Sequence, residues 1–292
     1  MRSTVANDLL KGDLLRLFFS KWSSRSIAFG CLGDIMQLVI KLGGSILFDS
    51  NRELDLSLID KWLDILVDLT QYAKVIVVVG GGYPARRYIT WGRRLGLSEF
   101  ECDELGICIS RLNAYLLLAA LRQRTKNTTI RIYGSIPTTP GEIYETRDSY
   151  DIIFVGGFIP GQSTIGVAAE VAEASQADFL VVATDVDGIY DRDPKRFPDA
   201  QKLDEVEIDN LISAFSKREE HAGTYSLFDI QALKLIKRSR IPTIVFNGRN
   251  IHTAKKLFRA MIRGDLQQIR KLATIITHRN QNKNKREKHR KL

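Results

Sequence analysis

The sequence contains little of what marks disulfide-rich, metal-binding or linker-like proteins. Among its 292 residues are 3 cysteines and 4 histidines, and no two cysteines form a CxxC pair, so neither a disulfide framework nor a cysteine zinc site is predicted. The 7 prolines and 21 glycines are too few for a collagen-like or linker-rich chain. No run of about 18 apolar, uncharged residues occurs, so neither a membrane-spanning helix nor a membrane partner is expected. The few cysteines fit a reducing, intracellular setting, and we expect the protein in the cytoplasm.

The net charge is the unusual property of the composition. Hydrophobic residues make up 44% and charged residues 26%, which are ordinary values for a globular protein with a sizeable core. A formal charge of +9 suggests a nucleic-acid or anionic-membrane partner, but residues 278–292 carry +6 of it and residues 1–35 carry +2. The basic tail lacks interleaved aromatic residues, so any nucleic-acid binding there would be weak and salt-sensitive, and no specific nucleic-acid partner is expected.

Three segments follow from this distribution of charge and apolar residues. Residues 1–35 form an N-terminal extension, which is either a real amphipathic segment or the product of a gene model that starts upstream of Met36. Residues 36–277 form the folded domain and carry a net charge of only +1. Residues 278–292 form a polar, basic tail that is expected to be disordered.

Short apolar runs alternate with amphipathic segments through the folded domain. Because buried parallel strands have continuous apolar sequences, strands are predicted at 37–42, 74–79, 151–155, 178–184, 242–246 and 273–277. Helical spacing and capping signals predict helices at 53–71, 84–96, 98–124, 166–177, 229–239 and 251–262. Strands that alternate with helices predict an α/β fold, in which a mainly parallel sheet is covered on both faces.

Three glycine-rich turns follow apolar strands, at 42–45, 80–82 and 156–164. Open α/β sheets bind ligands at the carboxyl ends of their strands, and glycine lets backbone N–H groups approach an anion closely. One such turn is a weak signal, but three favour a polyphosphate or two phosphorylated ligands. The second turn also fits the GxGxxA pattern of dinucleotide-binding folds. That pattern normally belongs to the first strand–helix unit, and Pro84 with Arg86 suits a charged phosphate better.

Two basic residues near these turns are candidates for catalysis. Lys41 ends the first strand just before Gly43 and Gly44, where an ammonium group can balance the charge of a phosphoryl group in transfer. Arg86 lies in the first turn of the helix after the second glycine turn, where an anion would make use of its charge. The alternative for each is a solvated surface charge.

The acid-rich segment at 183–194 is predicted to form a short hairpin. Its four acids do not have the register of an EF-hand loop, because Pro194 stands close to where the last ligand would be needed. A nucleoside pocket with Tyr190 against a base is the better interpretation.

Several motifs together resemble a known superfamily. VIKLGGS, VVVGGG, GGFIPGQST, ATDVDGIYDRDP and AGTYSLFD occur in an order similar to the amino acid kinase superfamily. Within it, GGGYPARRYI, the helix DELGICISRLNAYLL and GGFIPGQST resemble the archaeal type of uridylate (UMP) kinase. The resemblance covers 36–277 and implies a catalytic domain with a three-layer α/β/α sandwich. It also implies ATP with Mg²⁺ as phosphoryl donor, UMP as the acceptor that becomes UDP in pyrimidine nucleotide biosynthesis, and a homohexamer.

The resemblance further implies which residues bind each nucleotide. Lys41 and Arg86 are implied as catalytic residues. The implied ATP site contains Lys41, Gly43, Gly44, Ser45, Gly82, Arg86, Thr184, Asp185, Tyr190 and Asp193. The implied UMP site contains Gly81, Asp103, Phe158, Ile159, Pro160, Gly161, Gln162, Ser163 and Thr164, with Asp103 on the ribose. No side chain is implied as a metal ligand.

Two positions depart from the family pattern. Ile165 stands where many uridylate kinases have aspartate, and Asp185 stands where asparagine is more usual.

The phosphate oxygen of UMP is already an anion near neutral pH, so we expect catalysis by positioning and charge neutralisation without a general base. The alternatives are another kinase of the superfamily, acting on a small acid or isopentenyl phosphate, and a molybdate or tungstate storage protein.

Overall fold

The computed structural model describes residues 35–194, 196–216 and 227–278. The N-terminal extension and the basic tail predicted from the sequence lie outside the described residues, apart from Ile35 and His278. The segment AGTYSLFD, one of the motifs behind the resemblance, is described only from Leu227 onward.

A seven-stranded sheet forms the centre of the described chain. Its strands are β1 (Met36–Leu42), β2 (Ala73–Val79), β3 (Ile152–Val155), β4 (Phe179–Thr184), β5 (Glu205–Glu207), β6 (Thr243–Asn247) and β7 (Thr274–Thr277). They lie in the order β3-β2-β1-β4-β6-β7-β5. β3, β2, β1, β4 and β6 are parallel, whereas β7 is antiparallel to β6 and β5 is parallel to β7. The predicted mainly parallel α/β sheet is therefore confirmed.

Helices cover both faces of this sheet. They are α1 (Gly44–Leu47), α2 (Leu56–Leu69), α3 (Gly82–Arg94), α4 (Glu99–Thr125), α5 (Pro140–Thr146), α6 (Thr164–Ala174), α7 (Ile208–Ser216), α8 (Ile230–Ser239), α9 (Ile251–Arg263) and α10 (Leu266–Leu272). The capping box predicted before α4 is present, because Ser98 and Glu101 exchange side-chain and backbone hydrogen bonds.

Two hydrophobic cores lie on the two faces, as the alternation along each strand requires. In β2, Val75, Val77 and Val79 point into a core with α2, α4 and α9, while Ile76 and Val78 point into a core with α6 and α8. Successive side chains of a strand point to opposite faces, so a strand covered on both sides is apolar at most positions. This packing yields the three layers of an α/β/α sandwich and fixes the strand ends that carry the glycine turns.

The structure also contains short elements that the sequence pattern did not predict. They are the helices α1, α5, α7 and α10 and the strand β5. Helices of four to nine residues bury too few residues to leave a clear periodic pattern, and their stability comes from tertiary packing. The reversal of β7 was also not predicted, since an apolar run does not encode strand direction.

Helix α4 is long and apolar enough to cross a membrane by length and composition alone, which the search for apolar runs did not anticipate. Its packing argues for a core helix instead. Leu117, Leu118 and Leu121 are buried in the core on the side of the sheet where α4 packs against β2 and β3, and polar side chains of α4 contact the glycine turns described below. The helix is apolar on its exposed side as well, where Leu112 is 62% exposed.

Candidate active site

The three glycine turns lie at one edge of the sheet, at the carboxyl ends of neighbouring parallel strands. β1 is central, and its last residue, Leu42, pairs with Val79 of β2 and Ala183 of β4. The backbone N–H of Gly43 donates to the oxygen of Ala183 at 3.3 Å, and Gly80 N–H donates to the oxygen of Leu42 at 3.1 Å. The first two turns and the start of the acid-rich segment are therefore held side by side by the sheet.

The first and second turns are in direct backbone contact. A Cβ atom built on Gly44 would lie 2.1 Å from the Cα and 2.3 Å from the nitrogen of Gly82. Gly82 has a φ of +64°, a left-handed conformation that favours glycine, and opens helix α3. A Cβ on Gly80 would meet the nitrogen of Gly44 at 2.9 Å and the Oγ1 of Thr164 at 3.4 Å. Side chains are excluded here, so the backbones of both turns come together next to the start of α6.

Lys41 supplies a positive charge at this junction. Its Nζ lies over the first turn, 2.9 Å from where a Cβ of Gly43 would stand. The side chain is half-buried, and burial lowers the pKa of Lys41 from 10.5 to about 8, while the charge of nearby Asp185 partly offsets this effect. Ser45 also borders the space, since its Oγ lies 3.4 Å from the same Cβ position. A desolvated ammonium group beside a glycine-rich turn is suited to a phosphate.

Arg86 is exposed and is the fifth residue of α3, just past the first turn in which the sequence placed it, because the helix already begins at Gly82. Within the described part of the chain its guanidinium makes no hydrogen bond or ion pair, and its backbone carbonyl accepts from Thr90. Gly81, directly before α3, is packed tightly, because a Cβ there would lie 2.5 Å from the Cβ of Ala85. The structure thus puts Arg86 on the helix that starts at the junction without contact to Lys41.

Helix α4 holds the third turn through side chains that face it. Asp103 accepts a hydrogen bond of 2.7 Å from the backbone N–H of Gly161, which has a φ of +78°. Ser110 accepts from the N–H of Gly157 at 2.8 Å, and Arg111 donates to the oxygens of Gly157 and Phe158 at 2.9 and 3.2 Å. The turn is therefore a built structure in which α4 fixes the backbone conformation.

The sequence interpretation missed three α4 side chains that contact the glycine turns, namely Ser110, Arg111 and Asn113. Asn113 donates to the oxygens of Gly80 and Gly81 at 2.9 and 3.2 Å, so α4 also holds the second turn. A usable signal was present in the sequence. Asp103, Ser110 and Asn113 are polar residues at helical spacing in an otherwise apolar helix.

The remaining residues of the third turn differ in exposure. Phe158 is buried, Ile159 is exposed and Pro160 is half-buried. Gln162 donates to Glu170 at 2.6 Å, and Ser163 caps α6 by accepting from the N–H of Gly166 at 3.1 Å. The Ser163 hydroxyl also donates to Asp229, which caps α8.

The departure at position 165 falls inside the protein core. Ile165 is 5% exposed and packs among the apolar side chains of α6 and α8. It therefore serves as a packing residue behind the third turn.

The acid-rich segment folds back as a hairpin, but its second arm is formed by residues 201–203, beyond the predicted range of 183–194. Tyr190 forms an isolated antiparallel bridge with Lys202, and Ile189 oxygen accepts from the N–H of Leu203. Burial and the hydrogen bond and charge of Asp187 raise the pKa of Tyr190. Asp187 also accepts from the side chain of Asn247 at 3.0 Å, a link that the sequence interpretation missed.

The other residues assigned to this segment surround the hairpin. Thr184 is buried at the end of β4, and its hydroxyl donates to the exposed carboxylate of Asp185 at 3.3 Å. Asp193 lies 3.8 Å from the guanidinium of Arg196.

The sequence of this chain matches a known protein family over the part that carries these glycine turns. Residues 36–247, from the first residue of β1 to the last of β6, match the amino acid kinase family model. The chain belongs to the amino acid kinase family. It is 39% identical over 213 residues to a uridylate kinase of Methanobrevibacter smithii, with 73% of this chain and 90% of the relative covered. It is 40% identical over 219 residues to one of Sulfolobus acidocaldarius, with 74% and 92% covered.

Solved structures of uridylate and UMP kinases resemble the fold of this chain. The uridylate kinase of Archaeoglobus fulgidus has a TM-score of 0.65 and 34% identity, over 83% of this chain and 100% of that chain. The UMP kinase of Ureaplasma parvum has a TM-score of 0.68 at 20% identity, over 84% of this chain and 100% of that chain, a likeness that concerns the fold.

In this amino acid kinase, the predicted site residues at the glycine turns fall into two groups that share the second turn. Lys41, Gly43, Gly44, Ser45 and Gly82 meet at the junction of the first two turns. Asp103 and the third turn form the other group, with Gly80 joining the two through its approach to Thr164. Two adjoining sites that share one glycine turn suit a reaction between two phosphorylated molecules.

Proposed function

We propose that this site transfers the γ-phosphoryl group of ATP to UMP, giving UDP, in pyrimidine nucleotide biosynthesis. The chain acts as a UMP kinase, with ATP as phosphoryl donor. The observation that carries this function is the identity of about two residues in five with archaeal uridylate kinases over nearly their whole length. The two adjoining phosphate-type sites support it, because the reaction needs one site for each nucleotide.

The chain's own residues supply positioning and charge. The N–H groups of the first two turns and the ammonium of Lys41 would neutralise charge that builds up on the phosphoryl group, and Arg86 would act from the start of α3. The acceptor is a phosphate oxygen that is anionic near neutral pH, so no side chain has to remove a proton. Pre-organised N–H donors in backbones that touch each other do not reorganise during the reaction, which is the main physical advantage of this arrangement.

The donor site would combine the first two turns with the acid-rich segment. Lys41, Gly43, Gly44, Ser45, Gly82 and Arg86 are assigned to the ATP phosphates, and Thr184, Asp185, Tyr190 and Asp193 to the adenosine. Bound Mg²⁺ is usually held by substrate phosphates and one or two carboxylates. Besides its role toward the adenosine, Asp185 would also be placed to hold Mg²⁺, because its exposed carboxylate is close enough to Lys41 to raise the pKa of that lysine by its charge. When bound there, Mg²⁺ would neutralise charge on the phosphates.

The acceptor site would use the third turn. Gly81, Asp103, Phe158, Ile159, Pro160, Gly161, Gln162, Ser163 and Thr164 are assigned to UMP. Replacing Asp103 with asparagine is expected to raise the KM for UMP about tenfold or more while the KM for ATP stays within twofold. The asparagine variant would lose the charge-assisted hydrogen bond between the Asp103 carboxylate and the ribose. Its hydrogen bond from the N–H of Gly161 would also be weaker. Steady-state kinetics with each nucleotide varied in turn will measure this.

The matched control for Asp103 is Glu104→Gln on the same helix. Glu104 is exposed and is assigned to neither nucleotide, so its loss of charge should leave both KM values unchanged. An Asp103→Asn enzyme with the wild-type KM for UMP would show that the acceptor assignment is wrong.

One coupled assay tests the function against its alternatives. ATP is offered with UMP, CMP, dUMP, isopentenyl phosphate and small carboxylic acids, and UMP is expected to give the highest kcat/KM. A preference for a small acid or isopentenyl phosphate would identify another kinase of the superfamily. Metal analysis of the purified protein tests the storage alternative, since molybdenum or tungsten bound in stoichiometric amounts, together with no turnover of UMP, would favour it.

The proposed assembly is a homohexamer in the cytoplasm. An exposed apolar stripe on α4 supports self-association: Leu112, Tyr115 and Leu116 are 62%, 54% and 43% exposed, and Trp91 of neighbouring α3 is 42% exposed. Patches of this kind mark protein interfaces. The hexameric number itself follows only from the resemblance to the family.

The double variant Leu112→Glu, Tyr115→Glu is therefore expected to reduce the mass measured by light scattering. Leu56→Glu is the control, because Leu56 is an isolated leucine that is 69% exposed at the start of α2. A wild-type protein with the mass of one 33.0 kDa chain would contradict the assembly.

A further inference from the structure

Arg249 follows β6 and binds the chain at the carboxyl-terminal end of the first glycine turn. Lys41 precedes that turn in the sequence. Its Nη1 donates to the backbone oxygens of Ser45 and Phe48 at 2.7 and 2.9 Å, and its Nη2 donates to Asp55 at 2.9 Å. Asp55 in turn caps α2 by accepting from the N–H of Leu58 at 3.0 Å. One guanidinium therefore joins the end of β6 to α1 and to the start of α2.

The contacts of Arg249 satisfy carbonyl groups that helix α1 leaves unpaired. α1 has only four residues, Gly44–Leu47, and such a short helix has little stability of its own. The last carbonyl groups of a helix have no partner within it. Arg249 binds the carbonyls of Ser45 and Phe48, while Leu47 oxygen accepts from the N–H of Asp55 at 2.9 Å. Arg249 is therefore one of the groups that hold α1, whose first residue is Gly44.

The backbone of Arg249 is itself fixed by the end of the sheet. Its N–H donates to the side-chain oxygen of Asn247 at 3.0 Å, and the amide of Asn247 donates to Asp187 in the acid-rich hairpin. Gly248 N–H donates to Thr184 oxygen at 2.8 Å, and Trp62 donates to the oxygen of Gly248 at 3.0 Å. The segment 247–249 is therefore bonded both to the first turn and to the hairpin, the two parts of the proposed ATP site.

We infer that Arg249 is a positioning residue of the donor-nucleotide site, which sets the first glycine turn through the carbonyls of Ser45 and Phe48. The inference rests on the proposed function for its assignment of the first turn to ATP. Arg249 binds the far end of α1 and is assigned to neither nucleotide, so it would act through the backbone of the turn. A displacement of about 1 Å in such a backbone is enough to lower a rate by about 100-fold.

The test compares Arg249→Met with Arg147→Met. Arg147 is a suitable control because it is also a partly buried arginine that donates to a helix-end carbonyl, that of Ala174 at 2.8 Å, and that carbonyl lies at the end of α6 remote from the third turn. Arg249→Met is expected to lower kcat/KM for ATP about 10- to 100-fold and to leave the KM for UMP within twofold. Arg147→Met should leave both unchanged. Calorimetric binding of a non-hydrolysable ATP analogue, without UMP, should weaken only in the Arg249 variant.

Two further variants separate the possible outcomes. Arg249→Lys should recover part of the ATP affinity, because one ammonium cannot serve all three acceptors at once. If Lys41→Met is inactive but Arg249→Met matches Arg147→Met in ATP affinity and kcat/KM, the positioning role is overturned and the proposed function stands. If Lys41→Met also keeps full activity, the site assignment itself has failed. A loss of UMP affinity alone in Arg249→Met would equally overturn the inference.

Discussion

Replacing Lys41 with methionine is expected to lower kcat by about 100- to 1,000-fold while UMP still binds. Lys41 is the ammonium group at the junction of the first two turns, and removal of one pre-organised charge from a phosphoryl-transfer site typically costs a factor of 100 to 1,000 in rate. UMP binding should persist, because Lys41 is not assigned to the acceptor site. Rapid-quench or coupled kinetics with calorimetric UMP binding will measure both quantities. A variant with near wild-type kcat would rule out this role.

The same substitution is expected to make the protein more stable. Burial lowers the pKa of Lys41 from 10.5 to about 8, so the charged form is disfavoured in the folded protein relative to the unfolded chain. Below pH 8 the lysine is charged in both states, and this cost, on the order of 2–3 kcal/mol, is fully present. It is relieved as the pH rises from 8 towards 10.5. Lys41→Met should therefore raise the melting temperature by several degrees at pH 7, and by less at pH 10.

The low pKa of Lys41 also predicts the pH dependence of catalysis. The charged ammonium is the active form, so kcat/KM for ATP should fall as the pH rises above about 8 in the free enzyme. The charge of Asp185 raises the pKa of Lys41, so Asp185→Asn should move this decline to lower pH. An unchanged profile in Asp185→Asn would contradict the coupling between the two residues.

Replacing Gly44 with alanine is expected to abolish activity through the backbone alone. The new Cβ would lie 2.1 Å from the Cα of Gly82, and backbone atoms cannot move away as a flexible side chain can. The two turns must separate, which misaligns the donor groups, and the free energy of unfolding should fall by about 1–3 kcal/mol. Chemical denaturation will measure the loss of stability, and steady-state turnover at saturating ATP and UMP will measure the loss of activity.

Gly141→Ala is the control for Gly44→Ala. Gly141 lies in the first turn of α5, and the nearest atom to its Cβ position is the Oγ1 of Thr139 at 3.8 Å. Alanine should fit there and stabilise the helix slightly, without effect on kinetics. If Gly44→Ala behaves like Gly141→Ala, the contact between the first two turns is not needed for catalysis.

The sequence alone was sufficient for the parts of the fold that are encoded locally. Continuous apolar runs predicted β1, β2, β3, β4, β6 and β7, and the capping box at Ser98 predicted the start of α4. These signals depend on neighbours within a few residues. The glycine turns were also visible, since a turn after a buried strand leaves a composition that needs no tertiary information.

What could not be predicted depends on contacts between distant residues. Arg249 binds the oxygen of Ser45, 204 residues away, and Asn113 binds the oxygen of Gly80, 33 residues away. No local pattern distinguishes Arg249 from a surface residue. The polar spacing along α4 marks Asn113 as unusual, but it does not show which distant carbonyl Asn113 binds. Helix α1 could not be predicted for the same reason, because it is too short to form without the distant partners that bind its end.

Helix α4 places a constraint on insertions and deletions in this chain. Asp103 bonds the third turn and Asn113 bonds the second, so ten residues of one helix set the offset between the two sites. Ten residues span about 15 Å, and each residue added or removed rotates one set of contacts by about 100° relative to the other. Substitutions along the exposed stripe of α4 leave that offset intact, whereas a change in length by a single residue between these positions would point Asp103 or Asn113 away from its turn. The length of this stretch is therefore under stronger structural constraint than most of its side chains.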